Sequence, residues 1–339
     1  MMLKANDTLL QVKNLKKYFP IRKGLFRRVC GYVKAVDDIT FSMNRGETLG
    51  LVGESGCGKT TTGRLILKAF EATSGEIMFN LENTLINIHQ LSGNELRCFR
   101  KHMQPIFQDP FSSLNPRMTA LGIIGEPLVV NRLASGKQLE NRVVELMELV
   151  GLNSKYLKRY PHAFSGGQRQ RIGVARALAL NPELIIADEP VSALDVSIQA
   201  QILNLLKDLQ KKFNLTTLFI SHDLSVVEHI SDRVAVMYIG QIVEMSKTTN
   251  LFMNPGHPYA EALLSAVPRI SRKIEGKRTY LGGEVADPAS PPSGCTFHPR
   301  CPYMEDICKT RLVPLREISP GHFVKCHLAE KLELNGIEV

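Results

Sequence analysis

Apolar positions recur with two periods along the chain, and each change of period marks an element. Between residues 9 and 45 they alternate, with Ile39, Phe41 and Met43 set against Thr40 and Ser42, which is the period of a sheet wet on one face. Thr48-Leu-Gly-Leu-Val52 follows as an unbroken apolar run of strand length, which reads as a buried strand. From Lys59 the spacing lengthens to that of a helix and places Gly63, Ile66, Leu67 and Phe70 on one face. Leu139, Val143, Met147 and Val150 mark another helix face, with Gly151 as its stop. A long amphipathic helix runs from Val196 to Phe213 and stops near Asn214. Leu184 to Ala187 and Thr217 to Ser221 read as two more buried strands, and residues 233–245 as two short ones about Gly240.

Strands alternating with helices predict an α/β fold around a parallel sheet. From about 91 to 164 the pattern turns helical, which predicts a helical subdomain. After about Asn254 proline becomes frequent, with Pro288, Pro291 and Pro292 close together. A large domain over 1–254 and a small appended one over 255–339 are therefore expected. No internal repeat is present.

Composition narrows the function. The chain has 339 residues and no apolar run of 18 or more, so no membrane-spanning helix is expected. Its start, Met1-Met-Leu-Lys-Ala-Asn-Asp7, lacks the apolar core of a signal peptide, which predicts a cytosolic protein. The net charge of +9 favours anionic neighbours. Lys16, Lys17, Arg22, Lys23, Arg27, Arg28 and Lys34 fall in one stretch with no acid among them. A solvated face is the ordinary reading of such a run. Contact with anionic lipid headgroups is the sharper one, and liposome sedimentation after neutralising Arg22, Lys23, Arg27 and Arg28 tests it. Interleaved aromatics are absent, so no nucleic-acid partner is expected.

Five groups of residues carry chemistry. Gly53-Glu54-Ser55-Gly56-Cys57-Gly58-Lys59-Thr60, followed by Thr61, has the spacing G-x-x-x-x-G-K-T and stands between a strand and a helix. A turn of this kind aims successive backbone N–H groups at one point and so cradles phosphates. Lys59 reaches the β- and γ-phosphates, and the Thr60 hydroxyl reaches Mg²⁺. Asp188 and Glu189 end a buried strand, giving one carboxylate for the metal and one for the attacking water. His222 follows another such strand and suits a γ-phosphate contact. Gln108, in Ile106-Phe-Gln-Asp-Pro110, can ligate Mg²⁺ or water from a loop. Cys57, at a helix start beside Lys59, is expected to have a stabilised thiolate whose alkylation blocks ATP and is blocked by it. Cys295, Cys301, Cys308 and Cys326 cluster near the C-terminus at the spacing C-x5-C-x6-C-x17-C. In a reducing cytosol such a cluster argues for metal, and four thiolates suit either Zn²⁺ or an iron–sulfur cluster.

These residues resemble the ATP-binding cassette family over roughly the first 250 positions. Phe164-Ser165-Gly166-Gly167-Gln168-Arg169 is similar to its signature sequence, with Phe164 where Leu is commonest, and Val191-Ser-Ala-Leu-Asp195 to its D-loop. Phe19 stands where the family stacks an aromatic on adenine, with Tyr18 as the second candidate. The resemblance implies a P-loop NTPase cassette with a RecA-like core, an antiparallel β subdomain and a helical subdomain. It also implies that Ser165, Gly166, Gly167 and Gln168 cap the γ-phosphate held by an opposed cassette, so that two ATPs lie between two subunits. Gln108-Asp-Pro-Phe-Ser-Ser-Leu-Asn-Pro-Arg117 and His257-Pro-Tyr-Ala-Glu-Ala-Leu-Leu-Ser-Ala-Val-Pro268 are similar to stretches of the dipeptide, oligopeptide and nickel importer ATPases. The long Phe19 to Asp37 connection is similar to that of the second ATPase subunit of such systems.

For function, this resemblance implies an ATPase energising peptide uptake from the cytoplasmic face of the cell membrane. Its partners would be a second cassette, identical or related, two permease subunits and, indirectly, an extracytoplasmic binding protein. Nickel, glutathione or oligosaccharide are the alternative cargoes, and a soluble cassette ATPase is the alternative role. The four cysteines are implied to hold a four-iron cluster, with zinc or free thiols as the alternatives.

Overall fold

The protein is described here from a computed structural model, which covers residues 7–24, 26–267 and 282–337. Pro268 of the second importer-like stretch lies outside them. The chain forms two compact units, Met1–Gln90 together with Ser221–Val339, and Leu91–Ile220.

In the first unit, Thr8–Lys23 and Arg28–Asn44 form a long antiparallel hairpin, closing with Lys23 opposite Arg28. Ser74–Leu81 pairs with the other side of Thr8–Lys23, and Thr84–Asn87 completes a four-stranded sheet. The alternation read from the sequence is what buries one face: Leu10, Val12, Leu15, Ile39 and Met43 are each at most 1% exposed. At its far end the hairpin turns through Arg27 in a left-handed conformation, with Phe26 82% exposed among Arg22, Lys23, Arg27 and Arg28.

The second sheet of this unit is built on Thr48–Val52, buried at every position, which pairs parallel with Arg233–Tyr238. Gln241–Lys247 returns antiparallel about Gly240. His322–Val324 and then Arg316–Ser319 extend the edge beyond it. The C-terminal segment thus adds strands to the sheet that carries the phosphate loop. It also has a small core of its own, Val324, Cys326, Leu328 and Ala329, against which Tyr303, Ile318 and Leu332 pack.

One buried polar group fastens this segment down. Glu244, with no exposure, accepts hydrogen bonds from the Gly256 N–H (2.7 Å), the His257 N–H (2.7 Å) and His322 Nε2 (2.7 Å). Asn250 Nδ2 donates to His322 Nδ1 at 3.0 Å, which leaves the His322 proton on the nitrogen facing Glu244.

The second unit has a parallel arrangement of Met103–Ile106, Leu184–Asp188 and Thr216–Ser221, with Leu184–Asp188 in the middle. Its long helices are Ala120–Val130, Gly136–Leu149, Gly166–Leu178 and Val196–Phe213. Gly151 (φ 72°) and Asn214 (φ 50°) end two of them in the left-handed conformation that the stop signals predicted.

Two expectations need correction. The 91–164 stretch is not purely helical, because Met103–Ile106 is a strand paired with Leu184–Asp188. The helix that starts at Lys59 ends at Ile66, since Lys68 turns left-handed (φ 48°), so Leu67 and Phe70 do not continue its face.

Candidate functional site

The glycines of the phosphate loop are there because backbone crowds them. Gly53 has φ 150°, and a Cβ on it would lie 2.1 Å from the Met237 carbonyl oxygen. Gly58 caps the following helix with φ 108°, and its Cβ would lie 2.1 Å from the Ala35 carbonyl oxygen. The loop is therefore wedged between the Arg233–Tyr238 strand and the hairpin. The Gly240 N–H donates to the Cys57 carbonyl at 2.9 Å and fastens it there. Ser55 and Gly56 remain exposed at its crest, and Thr60 and Thr61 are half-buried at the helix start.

Lys59 is 5% exposed, and its ammonium group donates to the Gly53 carbonyl (2.7 Å) and the Glu54 carbonyl (2.9 Å). A buried cation held by neutral carbonyls beside exposed loop amides is the electrostatic complement of a phosphate chain. The loop therefore fits a nucleotide.

Cys57 departs from expectation. Its Sγ lies 3.7 Å from Lys59 Nζ, a contact that favours the thiolate, but the residue is 3% exposed and burial outweighs the cation, holding the pKa above the ordinary thiol range. The exposed Cys30 and Cys98 should therefore alkylate with iodoacetamide at pH 7.5 at least about tenfold faster than Cys57. Mass-spectrometric labelling rates check this, and preferential labelling of Cys57 would refute it.

The aromatic candidates sort themselves. Phe19 is half-buried, edge-to-face with Phe70 (centroids 5.7 Å), and the Lys17 ammonium stands 4.9 Å from its centroid. Tyr18 donates its hydroxyl to Asp37 Oδ1, and burial followed by that bond raises its pKa. His222 is exposed in the turn between Thr216–Ser221 and the short helix Leu224–Ile230.

The remaining nucleotide-site candidates belong to the second unit. Leu184–Asp188 delivers Asp188 at its end, and the next residue, Glu189, adopts φ 46°. A left-handed conformation at a residue other than glycine costs about 1 kcal/mol or more, a strain that concentrates at functional sites. The Glu189 N–H donates to the Ile220 carbonyl (2.9 Å), and Gln108 Nε2 donates to Glu189 Oε2 (2.7 Å). Two residues 81 positions apart, each predicted for the water and metal side of the site, are thus in contact.

Ser165 caps Gly166–Leu178 reciprocally with Gln168: the Gln168 N–H reaches Ser165 Oγ (3.3 Å) and the Ser165 N–H reaches Gln168 Oε1 (3.1 Å). Gly167 is required by packing, since a Cβ there would lie 2.5 Å from Ile198 of the next helix. Asp195 opens that helix through its backbone carbonyl, which accepts from the Ile198 and Gln199 N–H groups.

Sequence reasoning placed Arg169 at the end of the signature-like stretch but missed Arg176, and it read the contacts of neither. Arg176 Nη1 donates to the Ser113 carbonyl (2.8 Å), and the Arg169 guanidinium lies 4.3 Å from the Phe111 ring centroid. Together they tie the segment after Gln108 to the helix after Ser165. No local signal encodes such pairings.

All four C-terminal cysteines are free thiols, with Cys308 and Cys326 buried and Cys295 and Cys301 half-buried. Cys301 is pushed up to about 12 by burial and by Cys295, Cys326 and Cys308. Cys326 is pushed up to about 11 by burial and by Cys295 and Cys308. The thiols therefore share one electrostatic environment that a bound cation would relieve. Among the described residues, however, no three His, Cys, Asp or Glu side chains converge as a metal-ion site.

Comparison with known proteins agrees with this chemistry. The sequence profile described as ABC transporter matches residues 36–192, and the one described as the oligopeptide/dipeptide transporter C-terminal region matches residues 243–308. The chain is 55% identical over 326 residues to the oligopeptide transport ATP-binding protein AppF of Bacillus subtilis, covering 95% of this chain and 98% of that protein. It is 48% identical over 324 residues to the dipeptide transport ATP-binding protein DppF of Haemophilus influenzae, covering 96% and 98%. Among solved structures it is similar to a dimer of the ATP-binding cassette MJ0796 bound to ADP and Pi, with TM-score 0.61, 29% identity, and coverage of 71% of this chain and 99% of that one.

Proposed function

Because the chain belongs to the ABC transporter family and is the ATP-hydrolysing subunit of an oligopeptide or dipeptide importer, we propose that it acts by closing on a second, related cassette around two ATP molecules. The observation that supports this reading is the similarity to the MJ0796 cassette, whose solved structure is a dimer bound to ADP and Pi, while the contact of Gln108 with Glu189 supports the hydrolytic side of it.

In this reading Phe19 stacks on adenine, and the loop from Gly53 to Thr61 holds the phosphates with Lys59 at their β–γ end. Thr60, Gln108 and Asp188 would hold Mg²⁺, whose bound charge neutralises the phosphate oxygens. Glu189 orients the attacking water and takes its proton. His222 contacts the γ-phosphate from the same subunit. Ser165, Gly166, Gly167 and Gln168, with Asp195 beside them, serve the partner's nucleotide.

No helix among the described residues is long and apolar enough to cross a membrane. In this reading the chain attaches peripherally to the cytoplasmic face through two permease subunits, as its similarity to peptide-importer ATP-binding proteins supports, and engages the extracytoplasmic binding protein only through them. Short peptides are the cargo.

Cys295, Cys301, Cys308 and Cys326 would hold a four-iron cluster in this reading, which would relieve the raised pKa that burial and neighbouring thiols give Cys295, Cys301 and Cys326. Binding it would first require drawing together side chains that do not converge here. Iron and sulfide analysis of protein purified without oxygen tests it, and protein with neither iron, sulfide nor zinc refutes any metal.

The function itself is tested by affinity purification from detergent-solubilised membranes. Two permease subunits and a second, related cassette should co-purify. Recovery of ribosomal or DNA-repair factors in their place would overturn the transport reading.

A further inference from the structure

Glu54 occupies the second position of the phosphate loop, and each of its polar groups is already engaged. Its carbonyl accepts from the Lys59 ammonium at 2.9 Å. Its N–H donates to the Tyr259 hydroxyl at 2.9 Å. Its carboxylate is gripped by Arg300, with Nη1 to Oε2 at 2.7 Å and Nη2 to Oε1 at 3.0 Å. Two of these three partners come from the C-terminal segment, 205 and 246 residues away along the chain.

Both are rigidly mounted. Tyr259 is fully buried and packs on Tyr238 (centroids 4.7 Å) and Phe297 (5.4 Å), while Phe297 also meets Tyr238 edge-on at 5.3 Å. Arg300 ends the single turn His298–Arg300, whose N–H donates back to the Phe297 carbonyl at 3.0 Å. Its side chain is 6% exposed and that of Glu54 is 26% exposed. This is not an open-surface ion pair, whose two ends would wander in solvent. A two-pronged guanidinium–carboxylate contact, mostly out of water, fixes both orientation and charge.

The placement matters because this is an anion site. An unpaired carboxylate in the loop would repel the phosphates that Lys59 attracts. Rotation of the Gly53–Glu54 peptide, whose N–H Tyr259 holds, would move the Gly53 carbonyl that accepts from Lys59 at 2.7 Å. The structure assigns Arg300 and Tyr259 a positioning role: from the C-terminal segment they neutralise Glu54 and fix its peptide, and so hold the phosphate loop ready for the nucleotide. The assignment rests on the phosphate loop being the ATP site.

Titration of ATP onto the full-length protein, with turnover measured alongside, tests it in wild type, R300Q, R300K, E54Q and the R300Q/E54Q double variant. R300Q is expected to weaken ATP affinity about tenfold or more, because it leaves the Glu54 charge facing the phosphates. R300K, which supplies charge without the fork, should fall between R300Q and wild type. E54Q should lose only a few-fold, and the double variant should lie closer to E54Q than to R300Q, since removing the carboxylate removes the repulsion. A support role confined to folding predicts instead a lowered melting temperature with unchanged ATP affinity, and that result overturns the assignment. Strictly additive losses in the double variant overturn it as well. If R300Q does not fold, Tyr259→Phe carries the test, as it deletes only the acceptor of the Glu54 N–H, and unaltered affinity there is equally fatal. Failure of the wild type to bind ATP would instead sink the reading of the loop itself.

Discussion

Glu189→Gln is expected to lower ATP turnover by roughly 10²–10⁴-fold while nucleotide affinity stays within a few-fold of wild type, the size of effect typical of removing a positioned general base. The amide keeps the length and shape of the side chain, and the Glu189 backbone contact to Ile220 is untouched, so the loss isolates proton transfer from placement. The comparison with Gln108→Ala sharpens the point. Gln108 donates to Glu189 Oε2, so its removal should disturb the proposed base without deleting it and produce a smaller loss. Single-turnover phosphate release in the assembled transporter measures both. Turnover of the Glu189 variant above about a tenth of wild type would assign the base elsewhere.

The second large effect concerns stability. Glu244→Ala should destabilise the unit containing it by about 3 kcal/mol or more, since it strips the acceptor from three buried donors at about 1–3 kcal/mol each. Without the carboxylate, the Gly256 N–H, the His257 N–H and His322 Nε2 lose their acceptor in a region with no access to water. His322→Ala removes one donor and leaves the carboxylate two backbone partners, so its cost should be smaller. Urea unfolding followed by tyrosine fluorescence reads the difference. A shift of less than about 1 kcal/mol for Glu244→Ala would mean that water or a neighbouring side chain fills the gap.

Much of the core was legible because its grammar is local. Thr48–Val52, Leu184–Asp188 and Thr216–Ser221 read as strands since a strand buried on both faces is a short apolar run. Gly136–Leu149 and Val196–Phe213 read as helices because one face is apolar and a left-handed residue ends each. The phosphate loop was legible for the same reason: close approach of backbone demands glycine wherever the loop is built.

What failed depended on distant partners. Met103–Ile106 is four residues including Pro105, too short to show a period, and is a strand only because Leu184–Asp188 pairs with it. Arg316–Ser319 and His322–Val324 are equally short, and they exist as strands through the edge offered by Gln241–Lys247. Cys57 was misread because a local rule, a cation beside a thiol at a helix start, lost to burial by residues far along the chain. The pairing of Arg300 with Glu54 spans 246 positions and leaves no trace in either neighbourhood.

That separation sets a clock on biosynthesis. Leu91–Ile220 is one continuous piece of chain, whereas the other unit is assembled from the first and last thirds. At roughly 5–20 residues per second, Arg300 leaves the ribosome some 12–50 s after Glu54. The inserted unit has emerged whole well before then, while Thr48–Val52 still waits for its neighbour Arg233–Tyr238. The phosphate loop is translated early, but the grip of Arg300 on Glu54 can form only late. A chain released early, or cut before Arg300, would carry every residue of that loop without the grip that holds it, so competence for nucleotide comes with completion of the chain.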